Sequence, residues 1–173
     1  MIMARGQQQL LLPANPVFIW GSIVVALLVT LLPMGRTPWM PDLLLLLLVF
    51  WSVHQPARVG MGAAFVLGLC VDVQHASLLG QHALSYTVLS FVGASMQRRL
   101  LWLSLLEQTA QLLPFLVGAQ VVELLLRMVG GGVFPGFGFV IAPTMEAALW
   151  PLASLVLLAP QRRAPDRDEN RPL

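Results

Sequence analysis

Pro41-Asp42-Leu43-Leu44-Leu45-Leu46-Leu47-Leu48-Val49-Phe50-Trp51-Ser52-Val53-His54 is the stretch on which the fold turns. It opens with a proline and an aspartate, a pair well suited to the first turn of a helix. Proline's missing N–H has no intrahelical acceptor there, and a carboxylate complements the positive end of the helix dipole. Six consecutive leucines follow, so the run has no polar face to turn toward water.

The rest of the chain has the same character. Of its 173 residues, 57% are hydrophobic and only 10% charged, and mean hydropathy is +0.78. A soluble domain carries roughly 25% charged residues to keep its surface hydrated. So few charges cannot cover this exterior, and the missing solvent is lipid. Inside a bilayer every backbone N–H and C=O must be bonded within the protein, which leaves helices or a closed barrel. Strictly alternating strands are absent, so the reading is an all-α membrane protein.

The apolar blocks predict six transmembrane helices. Val17–Met34 covers about 27 Å at 1.5 Å per residue, close to the hydrocarbon thickness of about 30 Å. It is too long for a cleaved signal peptide and reads as a retained signal anchor. Trp39–His54 and Arg58–Asp72 follow as two spans, because a re-entrant hairpin would hold His54 and Arg58 inside the bilayer. An arginine there costs at least about 2.5 kcal/mol. The remaining spans are Leu78–Met96, Leu100–Val129 and Val140–Ala159. Residues 1–16 form a cytoplasmic N-terminal segment, 17–159 the six-helix domain, and 160–173 a disordered cytoplasmic tail too polar to bury a core.

All ten basic residues are arginines, and they fall mostly between apolar blocks rather than on one hydrated stripe. This speaks against nucleic acid as a partner despite an isoelectric point near 9.5. With both ends in the cytoplasm, Arg5, Arg58, Arg98, Arg99, Arg162, Arg163, Arg167 and Arg171 lie inside. Only Arg36 and Arg127 lie outside, as the positive-inside rule requires. The expected place is a bacterial inner membrane, crossed several times.

With that topology Asp42, Asp72, Glu123 and Glu146 share the outer half of the membrane with Arg127, His75 and His82, a candidate outer-side polar cluster. Asp42 and Asp72 stand near helix ends, where water and headgroups can hydrate them. Glu123 and Arg127 are spaced i, i+4 with the acid first, the favourable order for an ion pair on one helix. Glu146 has no partner near it in sequence, which makes it the candidate for contact with another helix or protein. His75 and His82 lack the tight spacing of zinc sites, and no nucleophile stands with a base and an orienting acid. No cofactor, metal or enzymatic activity is expected. The glycine-rich stretch Gly130–Gly138 lacks the lysine of a P-loop and reads as a flexible outer loop. Cys70, the single cysteine, sits among apolar neighbours and reads as a buried, inert thiol.

Gly60, Ala64 and Gly68 recur every four residues on helix 3, a candidate face for close helix packing. Arg58, Arg98 and Arg99 are candidate cytoplasmic contacts for anionic lipid or a partner. Pro114 and Pro151 should kink or locally unwind helices 5 and 6. Broken helices line the binding sites of transporters, which keeps open a second reading, a substrate-binding subunit for a vitamin or other small molecule.

Taken in order, Pro41-Asp42-Leu43, Trp51, Pro56-Ala57-Arg58-Val59-Gly60, Gly68-Leu69-Cys70-Val71-Asp72, Leu79-Gly80-Gln81-His82-Ala83-Leu84, Glu107-Gln108 and Leu149-Trp150-Pro151 resemble the MreD family of rod shape-determining membrane proteins. The resemblance covers nearly the whole chain after residue 15, and departs from the family in the glycine- and phenylalanine-rich connector 130–139. It implies a non-catalytic subunit of the rod complex, or elongasome, which directs lateral peptidoglycan synthesis. Its partners there are MreC, MreB, RodA and a class B penicillin-binding transpeptidase. It also implies a six-helix fold similar to the substrate-binding subunits of energy-coupling-factor transporters.

Overall fold

A computed structural model describes residues 15–32, 40–134 and 136–161. Six α-helices and two short 3-10 turns make up the described residues, with no strand among them. They are α1 (Pro16–Leu31), α2 (Leu43–His54), α3 (Met61–Gln74), α4 (Gln81–Trp102), α5 (Leu105–Val129) and α6 (Ile141–Leu158). Arg5, Arg36, Trp39, Arg162, Arg163, Arg167 and Arg171 lie outside the described residues, as do residues 1–14 of the expected N-terminal segment 1–16 and residues 162–173 of the expected tail 160–173.

The six-leucine helix is the centre of the molecule. Nine of the twelve residues of α2 are buried, among them Phe50, Trp51 and Ser52, and the helix packs against α1, α4 and α6. This explains why its sequence has no polar side: protein surrounds it. α3 packs on α4, α4 on α5 and α5 on α6. Polar side chains tie the helices pairwise. Trp51 Nε1 donates to Ser22 Oγ at 2.9 Å across α2 and α1. The Ser52 and Ser90 hydroxyls meet at 2.9 Å between α2 and α4. Trp150 Nε1 donates to Gln108 Oε1 at 3.0 Å between α6 and α5. Bonds of this kind are worth about 0.6 kcal/mol each between membrane helices, and they fix which helix meets which.

Consecutive helices alternate in direction. Gln74, at the end of α3, donates to the Leu31 carbonyl at the end of α1. The starts of α2 and α6 meet through Asp42 and Glu146. The end of α2 meets the connector before α3 through Ser52 and Val59. The molecule therefore has an acid-bearing end, with Asp42, Asp72, Glu123 and Glu146, and an opposite end carrying Arg58, Arg98 and Arg99. Its flanks are apolar: Val25, Leu28, Phe65, Val66, Phe91, Leu125, Leu152 and Val156 are all exposed. A patch of that extent needs lipid or a partner rather than water.

Two helical stretches, Leu105–Val129 and Phe137–Gln161, are long and apolar enough to cross a membrane; α1, α2 and α3 are apolar but shorter. Helix α2 starts at Leu43 because Asp42 caps it, Oδ1 accepting from Leu45 N–H at 3.1 Å. Residues 56–58 turn before α3, so α3 begins at Met61, later than Arg58. Helix α4 runs on through Gln97-Arg98-Arg99 to Trp102. The local unwinding expected at the prolines is not seen, since α5 and α6 stay helical through Pro114 and Pro151. In the connector 130–139 the aromatic rings associate: Phe134 meets Phe137 and Phe139 edge-on, centroids 5.8 and 6.1 Å apart. Phe137–Val140 forms a 3-10 turn.

Candidate functional site

The acid-bearing end is built by two motifs. The first joins α3 to α4. Gly80 stands at the N-cap of α4 with φ +101°, a left-handed conformation natural to glycine, and it has no side chain with which to cap the helix. The first N–H groups of a helix have no intrahelical acceptor, and here Asp72 supplies one from the preceding helix. Its Oδ2 accepts from Gly80 N–H at 2.8 Å and Ala83 N–H at 3.3 Å. Its Oδ1 accepts from His82 N–H at 2.9 Å, Ser77 Oγ at 2.9 Å and His82 Nδ1 at 2.7 Å. A carboxylate at that position also meets the positive end of the α4 dipole. Asp72 is fully buried, so the expectation that water or headgroups hydrate it is corrected. Backbone N–H groups do that work because the turn folds back over the end of α3.

Close contact between the two helices lets this happen. A Cβ on Gly68 would fall 2.7 Å from Ala83 N and 2.9 Å from the His82 carbonyl carbon. Only a hydrogen fits there. Ala64, one turn earlier, is fully buried. Gly60 is not part of this face: it is the exposed N-cap of α3, with open space where a Cβ would stand.

The second motif joins α2, α4 and α6 around Tyr86, the single tyrosine of the chain. The Tyr86 hydroxyl donates to Asp42 Oδ2, and the Asp42 N–H donates to Glu146 Oε1 at 2.9 Å. Tyr86 is fully buried, Glu146 nearly so. Glu123 comes from α5. It is buried and turned to Ser85, within electrostatic reach of His82, Asp42 and Asp72. The structure thus brings Asp42, Glu123 and Glu146 around Tyr86, with Asp72 on the far side of His82. The pairing expected between Glu123 and Arg127 is corrected. Arg127 is exposed and makes no ion pair with Glu123, whereas His82 pairs with Asp72. Glu123 falls on the buried stripe Gln108, Leu112, Leu116, Ala119 and Glu123 that packs inward, while the long arginine stem carries its charge out to solvent.

Glu107, at the opposite end, forms a capping box: its Oε2 accepts from Ser104 N–H at 2.8 Å and Ser104 Oγ at 2.9 Å. His54 Nδ1 is bonded to the Phe50 carbonyl at 2.9 Å, and its ring stacks on Phe50. His75 and His82 lie edge to face, centroids 5.4 Å apart. No three His, Cys, Asp or Glu side chains among the described residues are arranged to hold a metal ion. Cys70 is exposed, which corrects its reading as a buried thiol. Residues Ala64, Gly68, Val71 and Asp72 face inward on α3, and Cys70 points away from them. A recess of about 510 Å³ between α1 and α2 is lined by residues such as Val17, Phe18, Gly21, Val25, Leu43 and Leu47, and by no acid. It is apolar and suits no polar substrate.

Sequence reading missed Tyr86, Ser77 and Gly80. Tyr86 carried a signal, a phenol one helical turn after His82 and the single tyrosine of the chain. So did Gly80, a glycine just before a helical run that offers no cap of its own.

The chain is 28% identical over 131 residues to the rod shape-determining protein MreD of Haemophilus influenzae, covering 76% of this chain and 81% of that one. No solved structure matches it. The family model for rod shape-determining protein MreD matches residues 13–161, a range that contains every helix from α1 to α6, and the chain belongs to that family.

Proposed function

We propose that this chain is a non-catalytic integral subunit of the bacterial rod complex, the elongasome. In this reading it maintains rod shape by scaffolding or regulating lateral peptidoglycan synthesis together with MreC. MreB, RodA and a class B penicillin-binding transpeptidase are its further partners. The chain crosses the inner membrane six times between residues 17 and 159, with residues 1–16 and 160–173 in the cytoplasm. Its six-helix body resembles the substrate-binding subunits of energy-coupling-factor transporters.

Membership of the rod shape-determining family, across the whole helical body, carries this reading. The chemistry of the acid-bearing end supports it. Every hydrogen bond described above for Asp42, Asp72 and Glu146 goes to the protein's own backbone and side chains. Carboxylates engaged in capping and clamping helices position an outer surface. A catalytic pair would instead converge on a water-accessible cleft. The alternating helix directions and the arginines at one end support the six-span orientation.

Depleting the protein in a rod-shaped bacterium tests the proposal. Cells should round within a few generations, and fluorescently tagged MreC should lose its position along the lateral wall. Depleted cells that stay rod-shaped, with MreC in place, overturn it.

A further inference from the structure

Helix α4 has an outward stripe that its neighbours leave bare. Leu84, Val88, Phe91, Ser95, Arg98 and Trp102 recur at alternating spacings of four and three, which places them on one side of the helix. All six are exposed; Leu84 is 44%, Val88 49%, Phe91 54% and Trp102 91% exposed. The stripe is apolar for most of its length and ends in cations. Arg99, beside Arg98, is exposed as well, and Leu101 and Leu106 extend an apolar rim around Trp102. The nearest acid in sequence, Glu107, is turned back onto Ser104, so the two guanidinium groups set the local field.

We propose that this stripe binds an anionic phospholipid, with Arg98 and Arg99 on its phosphate and Val88 and Phe91 along one acyl chain. From Val88 to Arg98 the helix rises about 15 Å, half the hydrocarbon thickness of about 30 Å and so the depth of one leaflet. A phosphate at Arg98 therefore puts the chain end at Val88. Trp102, one turn beyond Arg98, falls at headgroup level, where tryptophan's apolar ring and N–H are both accommodated. Charge and shape select lipid over a partner helix. A helix docking closely needs small residues, whereas the stripe offers leucine, valine and phenylalanine, with serine the one small residue. The site rests on the six-span orientation proposed above, which puts Arg98 in the cytoplasmic leaflet.

The test uses the purified, delipidated full-length chain, titrated in mixed micelles with dioleoylphosphatidylglycerol or dioleoylphosphatidylcholine and read by native mass spectrometry. Each arginine near an anionic surface is worth about fivefold in binding. The wild type should therefore prefer phosphatidylglycerol by roughly 30-fold. R98Q/R99Q should bind the two lipids equally, and R98K/R99K should keep the preference. Raising the salt should weaken the preference of the wild type, since exposed charges are screened. Equal binding of the two lipids by the wild type overturns the proposal, as does a preference indifferent to salt. A preference that survives in R98Q/R99Q while a co-purifying protein is lost overturns it in favour of a protein partner. Failure here is separable from failure of the rod-complex reading, which is decided by cell shape.

Discussion

Replacing Asp72 with asparagine is the sharpest test of the architecture at the acid-bearing end. The two side chains have nearly the same shape, so packing against Gly68 and Ala83 is preserved. The amide offers one acceptor oxygen where the carboxylate has two. If that oxygen stays on His82 N–H and Ser77, the NH2 group faces Gly80 N–H and Ala83 N–H, two donors that now confront a donor. Each buried N–H left without an acceptor costs about 1–3 kcal/mol. Removal of the charge from the start of α4 costs about 0.3–1 kcal/mol more. The sum is about 2–7 kcal/mol, and at about 2–4 °C per kcal/mol for a chain of this size the melting temperature should fall by roughly 4–28 °C. The assay is thermal unfolding of the detergent-solubilised protein followed by fluorescence-detected size-exclusion chromatography. His82→Asn, which removes the Nδ1 contact but no backbone donor, serves as a milder control. If Asp72→Asn melts within about 2 °C of the wild type, less than 1 kcal/mol on that scale, Asp72 does not cap α4 and the reasoning fails.

Three further outcomes are expected. Gly68→Leu should prevent α3 and α4 from closing, since even a Cβ meets Ala83 backbone; the expected loss of monodisperse protein on size-exclusion chromatography would be absent if that contact were loose. Tyr86→Phe removes the hydroxyl that Asp42 accepts and should cost about 1.5–3 kcal/mol, the worth of a hydrogen bond to a charged group. In a double-mutant cycle with Asp42→Asn, additive melting shifts would show that the two do not interact. Trp150→Phe keeps most of the ring while removing the donor to Gln108; it should destabilise by about 0.6 kcal/mol, and Gln108→Leu should remove most of that difference.

The helical character of the chain was legible because lipid allows so few backbone solutions, and uninterrupted runs such as Leu43–Leu48 admit only one. The gathering of acids at one end followed from alternating helix directions and needed no knowledge of side chains. What Asp72 does was not legible, because its partners are backbone N–H groups 8 to 11 residues later, brought to it by a turn whose path back over the end of α3 no spacing of residue types announces. Spacing along one helix suggested Glu123 with Arg127, but it carries no information about the neighbouring helix, and α4 draws the glutamate inward. Glu146, with no partner near it in sequence, meets Asp42 N–H from a helix about 100 residues away. Cys70 was misjudged for a related reason. In a bilayer an apolar neighbourhood does not separate inside from outside, because both are apolar.

Encirclement of α2 by other helices has a consequence for the bilayer itself. A twelve-residue helix rises only about 18 Å, far short of a hydrocarbon core of about 30 Å. Exposed to lipid, so short a rod would force the membrane to thin around it or would tilt its neighbours. With its flanks wrapped by protein it makes no demand on membrane thickness, and the acyl chains respond only to the outer helices. Asp42 and His54, at its two tips, are accordingly spaced by the length of that short helix and not by the thickness of the bilayer.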